Sequence, residues 1–208
     1  MLDVARVIDR IGGAGFVFRP SKCSIGKRSV KFLGFEVSSN REVRPDPARI
    51  SSMVELDAAE VCRDVPALQN FIGVVQYYNR YIPKCALLLG PLQEQLNNKC
   101  KMAANNACLE SFELLKQALS VEGGPVVMRP DFDKEFILIT DAASTRGGAA
   151  ILAQLDEQGR ERPVAYFSCR WAASELHWAP LEHECAVVRY AMKHFNQYLA
   201  GRHFTVIT

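Results

Sequence analysis

The last third of the chain sets its apolar runs in an order that few folds accommodate. Phe136 to Thr140 is a run of β-branched and aromatic residues, Ala149 to Leu155 follows across Gly147 and Gly148, and Val164 to Ser168 follows the Gln158-Gly159 turn. Leu181 to Leu199 then reads as the most regular helix of the protein, with Gly201 just past its end, and His203 to Thr208 starts a further strand. Three strands, a helix and a returning strand define an α/β (α+β) unit with a mixed sheet and the helix on its face.

The preceding residues carry other patterns. Val4, Val7, Ile8 and Ile11 have helical spacing, and Gly12 and Gly13 stop that helix. Phe16 to Phe18 and Val30 to Val37 read as strands, the second with Gly34 at its middle, and Ser38, Ser39 and Asn40 make a polar turn before a short strand near Val43. Pro45 and Pro47 mark a boundary, after which the material is helical. Asp64 is placed to cap a helix in which Leu68, Phe71, Ile72 and Val75 recur at i, i+3, i+4 and i+7, with Pro83 as its stop. Leu87 to Leu96 and Leu109 to Leu119 are further helices, separated by a polar loop over Asn97 to Asn106; Gly123, Gly124 and Pro125 close the last of them.

Several function classes drop out on composition. The 208 residues are 49% hydrophobic and 23% charged, enough apolar material to close one or two cores. No apolar run reaches the roughly 18 residues that span a bilayer, and the N-terminus lacks a signal-peptide core, so an intracellular, cytoplasmic protein without a membrane partner is expected. Seven cysteines form no CxxC pair, which argues against a zinc cluster and for reduced thiols behaving as small hydrophobes. Cys185 lies beside His183, but that pair lacks an evident orienting third group. With 25 Lys+Arg against 23 Asp+Glu, any nucleic-acid surface must be local; the most basic stretch runs from Arg19 to Arg44.

Two carboxylates stand out. Asp141 follows the apolar run Phe136 to Thr140, at the end of a strand. On the long helix, a stripe of Leu181, Cys185, Val188, Met192, Phe195 and Leu199 is the expected buried face. Glu184 falls about 60° from its centre, whereas Glu182 falls about 100° away on the other side, with Ala186, Arg189 and Lys193. Glu184 therefore leans toward the sheet and Glu182 toward water. An acid at a strand end and one on a helix over the same sheet can jointly hold a divalent cation, and hard oxygen ligands without a His/Cys cluster favour Mg²⁺ or Mn²⁺. The alternatives are a turn-capping role for Asp141 and a core-edge cationic partner for Glu184.

At these residues the chain resembles a family. PDF, a strand ending in TDAA, a glycine-rich turn, PVAYFSCRW, EHE opening the long helix and FNQYLAG closing it stand in the order of the RNase H domain of gypsy-type LTR-retrotransposon Pol polyproteins. Upstream, SKCSIGKRSVKFLGFEVS resembles the end of that family's reverse-transcriptase palm. RPDPARISSM and LQNFIGVVQYYNRYIPKCALLLGPLQEQL resemble its thumb, and FELLKQAL the helix leading into the connection and RNase H region. The resemblance implies three regions: residues 1–44 as the end of the palm, 45–122 as a helical thumb and connection, and 123–208 as an RNase H-like domain.

It further implies that Asp141 and Glu184 are catalytic metal ligands in a two-ion Mg²⁺ or Mn²⁺ site that hydrolyses the RNA strand of RNA–DNA hybrids. RNA-directed DNA synthesis would be the parent activity of the N-terminal part. Tyr77, Tyr78, Asn79, Arg80 and Lys84 become candidates for contact with a template–primer duplex or hybrid; Arg80 and Lys84 would share a helix face if the helix extends that far. Solvated cations and core-edge tyrosines are the alternative for these. The remainder of the Pol polyprotein is the other expected partner.

The sequence also departs from the family. Its next catalytic aspartate follows the strand FTVIT, where this chain reaches Thr208; its polymerase aromatic-x-Asp-Asp strand precedes residue 1; and the tryptophan before FELLKQAL is replaced within CKMAANNACLESF. The chain is therefore expected to be a C-terminally truncated fragment that cleaves hybrids feebly or not at all. A non-catalytic nucleic-acid-binding remnant or a decayed copy is the alternative.

Overall fold

The structure, a computed structural model, describes residues 2–97, 105–120 and 125–208, so most of the expected loop over Asn97 to Asn106, and Gly123 and Gly124, lie outside the described residues. Helix α1 (Leu2–Gly13) forms where the periodicity places it, and its Val4, Val7, Ile8 and Ile11 are exposed. The expected strand at Phe16 to Phe18 is not formed: these residues adopt no regular structure and are exposed.

The expected strand from Val30 to Val37 is instead a hairpin of β1 (Ser29–Phe32) and β2 (Phe35–Ser38). Gly34 is the reason. Leu33 and Gly34 both have positive φ, 48° and 78°, the combination that a two-residue turn of matching twist requires. Strand β3 (Glu42–Pro45) adds antiparallel to β2. Asp46 then caps α2 (Pro47–Val54), its carboxylate accepting the Ala48 N–H at 3.1 Å, and Asp57 caps α3 (Ala58–Val61) in the same manner.

Helix α4 (Val65–Tyr77) starts at Asp64 and buries Leu68, Phe71, Ile72 and Val75, as the spacing predicts. It stops before Pro83 and passes into a single 3₁₀ turn, Asn79–Tyr81. Helices α5 (Cys85–Asn97) and α6 (Asn106–Ser120) complete the helical region, with Phe71 stacked on Phe112 at 4.0 Å between ring centroids. The thiols of Cys62 and Cys108 meet there at 3.1 Å, and burial pushes the Cys62 thiol up to about 12.

Past the expected region boundary at 122/123, β4 (Val127–Met128) pairs antiparallel with β3, so the first sheet runs β1-β2-β3-β4. The second sheet holds β5 (Phe136–Ala143), β6 (Gly147–Leu155), β7 (Glu161–Arg170) and β8 (Phe204–Ile207) in the order β7-β6-β5-β8; β8 is parallel to β5 and the other pairs are antiparallel. Helix α7 (Pro180–His194) covers one face of this sheet over a core of Phe136, Leu138, Ala150, Leu152, Val164 and Phe195. On the other face α5 packs against β7, where Tyr166 joins the core of the helical region.

Two expectations for the long helix are corrected. It is not continuous to Leu199: it breaks at Phe195 and resumes as α8 (Asn196–Leu199), after which Gly201 takes a φ of 71°. Its buried face is not the stripe of largest apolar residues, since Leu181 is 74% exposed and Met192 41%. His183, Ala186, Val187 and Ala191 are buried instead. The cause is close approach: a Cβ added to Gly148 in β6 would stand 1.9 Å from Val187 Cγ2, so small residues line the contact and large ones are turned outward.

Candidate metal centre

Strand β5 alternates its side chains. Phe136, Leu138 and Thr140 are buried on the α7 face, which puts Ile137, Ile139 and Asp141 on the other. Asp141 lies in a row across the sheet, paired with Ala149, which pairs with Ser168. The start of α5 sits over this row. Ser168 Oγ accepts the Ala86 N–H at 2.8 Å, and Lys84 Nζ donates to Asp141 Oδ2 at 3.1 Å. Two residues singled out separately in the sequence, Lys84 and Asp141, are thus in direct contact.

Glu184 comes from the opposite side of the sheet. Pro180 begins α7, and the Ala179 N–H donates to Glu182 Oε2 at 2.7 Å, which occupies Glu182 with capping and leaves it exposed. Glu184 is half-buried, and its Oε2 is buried with no hydrogen-bond partner. The contrast drawn from the helical wheel between Glu182 and Glu184 therefore holds, although the stripe used to draw it was misplaced. Val187, one turn on, is the true centre of the buried face, and Glu184 lies about 60° from it as well.

Three aromatic residues tie the strand end to the helix start. Trp171 Nε1 donates to Ala143 O, the last residue of β5, at 2.8 Å. The Trp171 ring stacks on His183 at 4.5 Å, and Trp178 lies 6.3 Å from the same imidazole. His183 Nε2 meets Glu175 O at 2.8 Å; its Nδ1 is buried without a partner, and Cys185 points outward, so the two do not pair. Glu175 is itself fixed: the Tyr190 hydroxyl and the Ala172 N–H donate to its carboxylate and hold its pKa below the usual glutamate value. Residue-by-residue reading missed Trp171 and His183 as positioning groups. The signal available was the histidine inside EHE itself, with two tryptophans shortly before it.

The candidates for duplex contact fare unequally. Tyr78 is corrected: it is fully buried, its hydroxyl donates to Gly34 O at 3.0 Å, and burial pushes its pKa up, so its ring presents no surface to a ligand. Tyr77 is 47% exposed, with its hydroxyl donating to Leu33 O. Arg80 sits in the 3₁₀ turn, 5.6 Å over the Tyr81 ring, and donates to the Tyr198 hydroxyl at 3.4 Å; its Nε is buried and unpaired. Arg80 and Lys84 do not share a helix face, because Ile82 and Pro83 intervene between that turn and α5. Among the described residues no group of three or more His, Cys, Asp or Glu side chains is gathered to hold a metal ion, and no helix is long and apolar enough to cross a membrane.

Comparison with known proteins finds similar chains and a similar fold. Residues 105–206 match the family model of the RNase H-like domain found in reverse transcriptase. The retrovirus-related Pol polyprotein from transposon 297 of Drosophila melanogaster is 29% identical over 205 residues, covering 98% of this chain and 18% of that polyprotein. The transposon Tf2-3 polyprotein of Schizosaccharomyces pombe is 26% identical over 196 residues, 94% of this chain and 14% of its own length. Among solved structures, a foamy viral protease-reverse transcriptase in complex with double-stranded DNA superposes with a TM-score of 0.79 at 18% identity, covering 98% of this chain and 34% of that one. The same viral protein in complex with an RNA/DNA hybrid gives 0.79 at 17%.

The similarity to the RNase H-like domain found in reverse transcriptase thus extends over residues 105–206, just under half of the chain. Over nearly its whole length the chain is a homologue of transposon Pol polyproteins, of which it spans less than a fifth.

Proposed function

We propose that this chain is a segment of a gypsy-type retrotransposon Pol polyprotein whose C-terminal domain hydrolyses the RNA strand of RNA–DNA hybrids, with Asp141 and Glu184 as ligands of two Mg²⁺ or Mn²⁺ ions. On this reading residues 1–44 are the end of the palm, 45–122 the thumb and connection, and 123–208 the RNase H-like domain. RNA-directed DNA synthesis is then the activity to which the N-terminal part contributes.

The observation that carries the reading is Glu184 Oε2, buried on α7 with nothing bonded to it. Leaving a buried acceptor unsatisfied costs about 1–3 kcal/mol, and more if charged. A divalent cation is a partner that would remove that cost. The donors on offer are hard carboxylate oxygens, which suit Mg²⁺ and Mn²⁺. Bound ions would supply Lewis-acid polarisation of the phosphodiester and a lowered pKa for the attacking water. The chain's own residues do the placing: Trp171 and His183 brace the first turns of α7 that carry Glu184, and β5 delivers Asp141. Of the candidates for duplex backbone contact, Tyr77, Asn79 and Lys84 are the exposed ones.

The test is cleavage of an RNA–DNA hybrid in Mg²⁺ or Mn²⁺ by this chain and by one continued past Thr208, each with its Asp141→Asn variant. Cleavage by the longer chain that Asp141→Asn abolishes supports the enzyme reading, with weak or absent cleavage expected from residues 1–208 alone. Equal cleavage by the Asp141→Asn protein would sink the assignment of that residue. Binding without cleavage by either chain would leave a nucleic-acid-binding segment without chemistry.

A further inference from the structure

Lys84 breaks two local rules at once. It is one of three non-glycine residues with positive φ among the described residues, at 54°, a conformation that L side chains rarely adopt. It is also a cation at the wrong end of a helix. Lys84 O accepts the Leu87 and Leu88 N–H groups, so Lys84 stands at the N-terminal end of α5, where the helix dipole disfavours positive charge. A residue that is locally adverse on both backbone and electrostatic grounds points to a role elsewhere. Its contact is Asp141.

We propose that Lys84 is a resident counter-cation for the metal-site carboxylate: its ammonium holds Asp141 Oδ2 until a divalent ion displaces it. This inference rests on the reading of Asp141 as a metal ligand. The surroundings suit a detachable plug. The rest of the α5 start is fixed independently by the Ala86 N–H to Ser168 hydrogen bond, and the Arg170–Glu94 ion pair and the Arg170 guanidinium packed on Gly90 hold α5 to β7 further along. Only the long Lys84 side chain, 57% exposed, need swing away for Asp141 to be released. The pair lies between the start of α5 and the second sheet, so ion loading at the sheet frees a cation at the neighbouring helix end. A lysine released there becomes available to a phosphate backbone when the ion arrives.

The experiment measures Mn²⁺ binding to the 208-residue chain, by electron paramagnetic resonance of the free ion, for the wild type, Lys84→Met, Asp141→Asn and the double variant. Removing the competitor should tighten Mn²⁺ binding by about two- to fivefold, the range in which exposed ion pairs fall. Asp141→Asn should weaken binding at least tenfold, and Lys84→Met should then have no further effect. In parallel, acetylation of Lys84 by a small acylating reagent, read by mass spectrometry against Lys193, should rise as Mn²⁺ saturates. Mn²⁺ binding that is indifferent to Asp141→Asn overturns the metal reading itself. Binding that depends on Asp141 but is unchanged in Lys84→Met, with constant Lys84 acetylation, overturns only the counter-cation.

Discussion

The contact between Gly148 and Val187 decides how near α7 stands to the sheet, and one methyl group tests it. In Gly148→Ala the new Cβ would be 1.9 Å from Val187 Cγ2, with Val187 Cβ and Cγ1 at 3.1 and 3.3 Å. Ordinary contact begins near 3.4 Å, and the obstacle is a β-branched side chain at a fully buried position with little rotamer freedom, so the helix must give. Overpacking of this kind costs about 1–3 kcal/mol. For a chain of this size that lowers Tm by roughly 2–12 °C. Val187→Ala alone removes two buried methyls and costs about 2 kcal/mol or a little more. Combined with Gly148→Ala it clears the clash, so the double variant should be at least ~1 kcal/mol more stable than the sum of the singles. Thermal unfolding followed by circular dichroism reads all four proteins. Gly73→Ala is the control: it lies within α4 with nothing within 4 Å of the added Cβ, and should stabilise by about 0.5–1 kcal/mol. A Tm for Gly148→Ala within a degree of wild type, or strict additivity in the double, would refute the claim that this glycine sets the helix-to-sheet distance.

Other expectations follow from single residues. Gln154 is buried, accepts the Asp131 N–H at 2.8 Å, and donates to Asp131 O and Lys134 O at 2.7 and 3.2 Å. Gln154→Leu strands those backbone groups and should lower stability by about 2–4 kcal/mol in urea unfolding, and a loss below ~0.5 kcal/mol would show them satisfied otherwise. The Arg41 side chain donates to Asp131, and with the Asp133 N–H it holds that carboxyl below its usual value of 3.8. A depressed carboxylate stabilises fully above its unfolded pKa, and that contribution is lost as pH falls through the lower folded value. The stability gap between wild type and Arg41→Met should therefore close as pH drops from 5 to 2, and a gap that stays constant would remove the ion pair from the acid response.

Much of this architecture was legible where chemistry is local. Asp64 marked a helix start, and the i, i+3, i+4, i+7 pattern of Leu68, Phe71, Ile72 and Val75 became the buried face of α4. The apolar run Phe136 to Thr140 placed Asp141 near the end of β5, which continues to Ala143. What stayed hidden depended on partners far away in sequence. The buried face of α7 was decided by a glycine in β6, so ranking residues by size chose the wrong stripe. Tyr78 stayed open between duplex contact and core edge because nothing nearby shows that Gly34 O waits for its hydroxyl, 44 residues upstream. Leu33 gave no sign that it would share the positive φ of its neighbour. The meeting of Lys84 and Asp141, 57 residues apart, follows only from how α5 lies on the sheet.

The two-residue strand β4 also has a consequence in time. The outer edge of β3 is complete only when Val127 and Met128 arrive, after the whole helical region has been made. At ~5–20 residues per second of synthesis, that edge stays open for roughly 4–16 s on a growing chain. During that interval its unpaired N–H and C=O groups are a template for any other extended segment, including the same strand on a neighbouring ribosome. Arg41 and Glu42 flank or occupy that edge, and their later partners Asp131 and Arg162 have not yet been translated. Until then the charges keep the edge soluble; afterwards the same two side chains latch it shut.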